Sequence, residues 1–280
     1  MEDTRRERGS VIVLARSAHD EAQLLARSLE LLRVHFLERW NYPVIVFTDG
    51  AFDDRWRELV VEESGVPVHW AAYVSAFPES VDGSAVPEFV ELYSVDYRHM
   101  SRFFGVTMFR HPALQKYRWI ARLDCDAHIL GPVDYDPFQV LAEMDAVYGH
   151  LLELEEMQEQ PWLTRGILEC VDRYCSREGV AATFLSELRA EDGTWNLDVL
   201  HNRFEVLDMA WWREGPVQKF LRWIDNAGGI YHHGWTDYAI RTLALAVHAP
   251  RADVRLLDGI HYAHQEIEVA YCDSPGGGSP

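Results

Sequence analysis

An α/β fold with a mostly parallel central sheet flanked by helices is predicted by three features of the sequence. Short apolar runs alternate with longer amphipathic stretches. Two of the runs, Val11–Ala15 and Pro43–Thr48, are continuously hydrophobic, as strands buried on both faces are. The intervening segment, Glu21 to Trp40, carries Leu24, Leu25, Leu29, Leu31, Leu32, Phe36 and Leu37 at helical spacing.

In order along the chain, Val11–Ala15 reads as a first strand, Glu21–Trp40 as a helix and Pro43–Thr48 as a second strand ending at Asp49-Gly50. A third strand is expected near Val66–Tyr73. Residues 74–95, rich in Ser, Pro and Gly, read as a long surface loop, and Tyr97–Phe109 as a helix. Tyr117–Leu123 reads as a central strand that delivers Asp124 at its carboxyl end. Beyond it come a strand at Ala146–Leu152, a helix at about 162–176 and a strand at Phe204–Met209. Pro216–Asn226 follows as a helix with Pro in its first turn, stopped by Gly228-Gly229. Asp237–Val247 reads as the last helix and Val254–Leu257 as the last strand. There is no internal repeat or clean linker, so residues 10–272 read as one domain, with 1–9 and 273–280 as flexible ends.

The composition narrows the function. With 45 acidic against 26 basic residues the net charge is −19, a surface that repels nucleic-acid backbones. The same surface repels a diphosphate ligand, unless a bound divalent cation supplies local positive charge. Ten Trp and twelve Tyr suit a sugar or nucleotide site, although a Trp-rich core is the better account of any single Trp. Four cysteines match neither a disulfide framework nor a zinc pattern; Cys170 and Cys175 read as neighbours on one helix. No window approaches 18 apolar residues, which predicts no membrane span, and the polar N-terminus is unlike a signal peptide.

Asp124-Cys125-Asp126 places two carboxylates at the carboxyl end of a predicted parallel strand, where open α/β sheets bind ligands. Two such oxygens can hold Mn²⁺ or Mg²⁺. The triplet alone is weak, because 21 Asp in 280 residues yield roughly one or two by chance. A second, Asp134-Tyr135-Asp136, stands between Gly131-Pro132 and Pro137 and reads as a turn. The segment Gly228–Asp237 packs glycines, aromatics and two His ahead of a helix, so it could hold a sugar or simply cap that helix through Asp237. His261 and His264 follow the last predicted strand. Glu205 lies within an apolar strand pattern that leaves open whether it faces a cleft or solvent.

Taken together, these segments resemble the glycolipid 2-alpha-mannosyltransferase family, the yeast-type α-1,2-mannosyltransferases of the Golgi. The similarity is collinear from about Val11 to His264. It is carried by Tyr97-Arg98-His99-Met100-Ser101-Arg102-Phe103-Phe104, Tyr117–Asp124, Asp134–Phe138, Asn202–Asp208, Phe220–Tyr231 with Trp235-x-Asp237, and Asp258–His264. The resemblance implies a GT-A fold, in which a nucleotide-binding half is fused to an acceptor-binding half. It also implies a retaining glycosyltransferase that uses Mn²⁺ (or Mg²⁺) with a nucleotide-diphosphate sugar, GDP-mannose above others, and a hydroxyl acceptor.

By the same resemblance the metal ligands map to Asp124, Asp126 and His264, with His261 as competitor because one residue must be inserted ahead of it. Arg16, Tyr97, Arg102, Arg122 and Asp124 map to the donor nucleotide. Glu205 and Tyr97 map to the chemistry, and Glu205, His233, Trp235 and Asp237 to the transferred sugar or acceptor. The chain departs from the family at Arg203, where the family has Asn, and at His232-His233-Gly234. The membrane anchor and stem of the fungal enzymes have no counterpart in it. That difference predicts a cytoplasmic enzyme acting on a small molecule or natural product. A metal-dependent nucleotide-sugar hydrolase and a non-catalytic sugar-binding module are the alternatives.

Overall fold

The computed structural model describes residues 8–50, 52–90, 93–265 and 267–269. The expected tail at 273–280, the first seven residues of the expected leader, and Cys272 lie outside the described residues. In chain order the strands are β1 (Gly9–Leu14), β2 (Val44–Thr48), β3 (Val68–Ala72), β4 (Phe89–Val90), β5 (Tyr93–Ser94), β6 (Trp119–Leu123), β7 (Ala127–Ile129), β8 (Tyr148–His150), β9 (Phe204–Asp208), β10 (Val254–Leu256), β11 (Tyr262–His264) and β12 (Ile267–Val269). The helices are α1 (His19–Leu32), α2 (Glu38–Trp40), α3 (Asp54–Ser64), α4 (Val95–Arg102), α5 (Pro137–Glu143), α6 (Ile167–Glu178), α7 (Met209–Trp212), α8 (Gly215–Asn226), α9 (Gly229–His232) and α10 (Asp237–His248).

Seven strands form the main sheet in the order β10-β8-β9-β6-β1-β2-β3. All pairings are parallel except those of β9, which runs antiparallel to both β6 and β8. β6 therefore sits at the centre, as its apolar sequence requires. Alternate residues of the buried strands feed two cores. Ile12, Leu14, Ile45, Phe47, Ile120 and Leu207 face the side covered by α6, α8 and α10. Val11, Val13, Val44, Val46, Trp119 and Val206 face the side covered by α1.

Most elements fall where the sequence places them. β1 begins at Gly9, one residue before the expected domain start, and the Arg8 carbonyl accepts hydrogen bonds from the Arg118 and Trp119 N–H groups at 3.0 Å. Helix α3 was not expected. It is capped by Asp53, whose carboxylate accepts the Arg55 N–H, and terminated by Gly65 in the left-handed conformation. A second sheet, β12-β11-β7, was also not expected and proves decisive for the site. Asp136 caps α5 and accepts the Tyr42 hydroxyl at 2.5 Å, so Asp134-Tyr135-Asp136 is a structural turn. Cys170 and Cys175 share α6 as free thiols. No described helix is long and apolar enough to cross a membrane.

Two features of the core make measurable predictions. A Cβ on Gly229 would collide with the buried indole of Trp235, so Gly229→Ala should destabilise by about 1–3 kcal/mol. An unchanged thermal midpoint would show that Trp235 can move aside. Burial also pushes the His201 imidazole down to about 3 and the His150 imidazole down to about 4. Both take a proton in the unfolded chain near the ordinary value of about 6.5. Stability is thus unaffected by them above that pH and is lost as pH falls below it. Urea unfolding at pH 4.5 should show a loss of about 2–3 kcal/mol for each histidine relative to pH 7.5. A flat profile across that window would mean that neither imidazole is desolvated.

Candidate active site

The cleft opens at the carboxyl end of β1 and β6 and has a volume of about 560 Å³, within the range that holds a nucleotide-sugar. Its floor is built by the pairing of β6 with β9. The register sets Arg122 opposite Glu205 and Leu123 opposite Phe204, and the Asp124 N–H continues the ladder onto the Arg203 carbonyl at 3.0 Å. Arg122 and Glu205 consequently point to the same side. Arg122 is fully buried over the face of Phe104, with its guanidinium carbon 3.7 Å from the ring centroid. It donates to Asp124 Oδ1 through Nε (3.1 Å) and Nη2 (3.0 Å), and to Asp237 Oδ2 through Nη1. Asn202 also donates to Asp237 Oδ2 at 2.8 Å, whereas Oδ1 of this buried carboxylate has no hydrogen-bond partner. An unpaired buried acceptor beside a cleft is unusual in a folded protein.

The small sheet supplies the histidine. β11 pairs antiparallel with β7, setting His264 opposite Ala127, the residue that follows Asp126. His264 Nε2 lies 2.9 Å from Asp126 Oδ1 and 3.9 Å from Asp124 Oδ2. The hydrogen bond to His264 holds the Asp126 carboxyl down to about 2, while burial raises that of Asp124 against the opposing pull of Arg122.

Among the described residues no group of three His, Cys, Asp or Glu side chains is already disposed to hold a metal ion. In this group, one oxygen of Asp124 is turned towards Arg122. The donor set nevertheless suits a hard divalent ion: two carboxylates and one imidazole on the same wall of the cleft. The 2.9 Å edge between Asp126 and His264 is one that a single ion bonded at about 2.1 Å can span.

The comparisons with known proteins bear on this arrangement. A family model described as glycolipid 2-alpha-mannosyltransferase matches residues 1–274. The chain belongs to that family. Among its relatives is the probable mannosyltransferase KTR4 of Saccharomyces cerevisiae, 24% identical over 285 residues, covering 92% of this chain and 60% of the relative. Another is glycolipid 2-alpha-mannosyltransferase 2 of Candida albicans, 25% identical over 278 residues, covering 92% and 58%. The chain thus spans about 60% of the length of these relatives.

Among solved structures, the mannosyltransferase Ktr4p from S. cerevisiae superposes with a TM-score of 0.84 at 21% identity, covering 94% of this chain and 72% of that one. The Mn/GDP form of core-mannan synthase A from Aspergillus fumigatus superposes at 0.85 and 18%, covering 100% and 82%. These likenesses establish the GT-A fold.

Of the residues that the family resemblance singled out, Arg16, Tyr97, Arg122, Asp124, Asp126, Asp237 and His264 line the cleft. His264 rather than His261 faces it. Tyr97 has its phenol held well above the ordinary value by burial, so it stays protonated and can donate. Arg16 is engaged by Glu21, whose carboxylate accepts its N–H and Nε–H at 2.5 Å each.

Four residues depart from expectation, three of them for a visible reason. Glu205 is 0% exposed and sits beneath the floor, with Arg241 donating to both its oxygens at 2.9 Å. Arg102 is held away from the cleft by Asp225 (2.7 and 2.8 Å) and the Ala76 carbonyl, pinning α4 against α8. Trp235 is core, its indole N–H donating to the Arg165 carbonyl at 2.8 Å. His233 does not line the cleft either.

Several lining residues escaped the sequence reading, among them Tyr238, Tyr93 and Glu159, while Arg203, noted there only as a departure from the family, also lines the cleft. Glu159 is buried, accepts the Thr236 hydroxyl and the Gln160 N–H (2.9 Å), and has its carboxyl pushed up by burial. It comes from an irregular loop with no periodic signal; only the density of polar residues in Gln158-Glu159-Gln160 could have drawn notice.

Proposed function

We propose that this chain transfers a mannosyl group, with retention of anomeric configuration, from GDP-mannose to a hydroxyl-bearing acceptor. Membership of the mannosyltransferase family supports the reaction class. The observation that carries the reading is the meeting of Asp124, Asp126 and His264 at one end of the cleft, brought there by two separate sheets.

Those three side chains would hold Mn²⁺ or Mg²⁺, which when bound supplies charge to stabilise the departing diphosphate. The chain's own groups do the rest. Tyr97, protonated, donates to a phosphate oxygen. Asp237 Oδ1, unpaired and buried, accepts a sugar hydroxyl and so orients the anomeric carbon. Arg122 fixes Asp124 and Asp237 relative to one another.

In the step itself the acceptor oxygen bonds to the anomeric carbon as the bond from that carbon to the phosphate oxygen breaks. The acceptor proton passes to a phosphate oxygen on the same face, and GDP leaves. A covalent Glu205 intermediate is disfavoured, since that carboxylate is enclosed and doubly bound by Arg241. The burial instead supports Glu205 as an anchor for the two arginines under the site.

The test is incubation with GDP-mannose, Mn²⁺ and a panel of hydroxyl acceptors, reading GDP release and the anomeric configuration of the product by NMR. Acceptor-dependent release with an α-linked product is expected. Release at full rate without any acceptor would identify a hydrolase, and no release with any GDP- or UDP-sugar would overturn the reading.

A further inference from the structure

Three arginines face the cleft, and two are neutralised by carboxylates: Arg16 by Glu21, and Arg122 by Asp124 and Asp237. Arg203 differs. Among the described residues no carboxylate pairs with it at salt-bridge distance, although Asp124 and Glu159 act on it from further off. Its Nε donates to the Tyr238 hydroxyl and its Nη1 to Nδ1 of His264 at 2.9 Å. Nη2 makes no hydrogen bond within the described residues. The guanidinium also stands 5.8 Å from the Tyr238 ring centroid, so it is fixed on two sides and open on a third. Its backbone is locked beside Asp124 by the 3.0 Å hydrogen bond that extends the β6–β9 ladder.

A fixed guanidinium with a free N–H, lining a cleft rich in carboxylates, is suited to an incoming anion. It keeps its charge at any working pH and can take a phosphate with directed hydrogen bonds. The same cleft presents Glu21, Asp96, Asp124, Asp126, Glu159 and Asp237, which would otherwise repel a diphosphate.

We infer that Arg203 is a diphosphate-binding residue, a permanent cation that takes phosphate oxygens of the donor through Nη2 and lets the nucleotide bind without a divalent ion. The inference rests on the proposed use of a nucleoside-diphosphate donor.

Calorimetric titration of GDP and guanosine in EDTA, on the wild-type chain, Arg203→Gln and Arg203→Lys, tests it. Wild type should bind GDP more tightly than guanosine. Arg203→Gln should weaken GDP about tenfold or more, the usual scale of a lost charged hydrogen bond, and leave guanosine unchanged. Arg203→Lys keeps the charge without the planar fork and should fall between; it is read in place of Arg203→Gln should that variant fold poorly. Equal GDP affinity in the wild type and the variant read would overturn the role of Arg203 alone. A wild type that binds neither GDP nor guanosine, with or without Mn²⁺, would overturn the nucleotide reading and this inference with it.

Discussion

Replacing Arg241 with methionine is expected to destabilise the protein by about 3–5 kcal/mol, because it strands a buried carboxylate. Glu205 is wholly enclosed, and Arg241 donates to both of its oxygens at 2.9 Å. The remaining cation within reach, Arg122, is 3.8 Å away and already committed to Asp124 and Asp237. Arg241 also packs over Trp212 and Phe109, with its guanidinium carbon 4.7 and 5.0 Å from their ring centroids. For a chain of this size the thermal midpoint should drop by about 10 °C. Exchanging both partners for apolar residues, Arg241→Met with Glu205→Leu, should recover much of the loss, since no unpaired charge remains. A single variant as stable as the wild type would mean that water reaches Glu205.

Asp126→Ala should reduce turnover by at least about 100-fold. Loss of a residue that merely orients a metal ligand typically costs about 10- to 100-fold, and the role proposed for Asp126 is that of a ligand itself. His264→Ala should do the same. Because the two act on one ion, the double variant should fall little below either single one, a non-additivity that independent roles would not produce. The measurement is GDP release from GDP-mannose over a Mn²⁺ titration. Turnover within a few-fold of wild type in both single variants would remove the metal assignment.

The parts of this molecule that carry long apolar runs were legible in the sequence. β1, β2 and β6 are buried on both faces, so their hydrophobicity is continuous, and Asp124 stands where such a strand ends. The small sheet was not legible, because β7 and β11 are three residues each and too short to show a period of two. His261 and His264 were visible as a pair, but only the family resemblance favoured His264, and the register of β11 is what sets it at the cleft.

Glu205 shows a different limit. Its strand was evident, but whether an acid on a strand faces a cleft or an arginine depends on α10, which crosses that face from another part of the chain. Arg102 and Trp235 were assigned to ligands through the family resemblance, while Asp225 and the Arg165 carbonyl had already claimed them in the fold. Side chains that bond well are sought by the protein's own core as readily as by a substrate.

The pairing of β11 with β7 also sets when the site can exist. The turn bearing Asp124 and Asp126 follows β6 directly, but His264 comes from well over a hundred residues further along the chain. Contacts between segments so distant in sequence close slowly, because a long loop must be ordered first. During synthesis, β1 and β6, at whose ends the cleft opens, emerge well before the histidine does. Partly made chains can therefore fold their first strands and still lack this wall of the cleft.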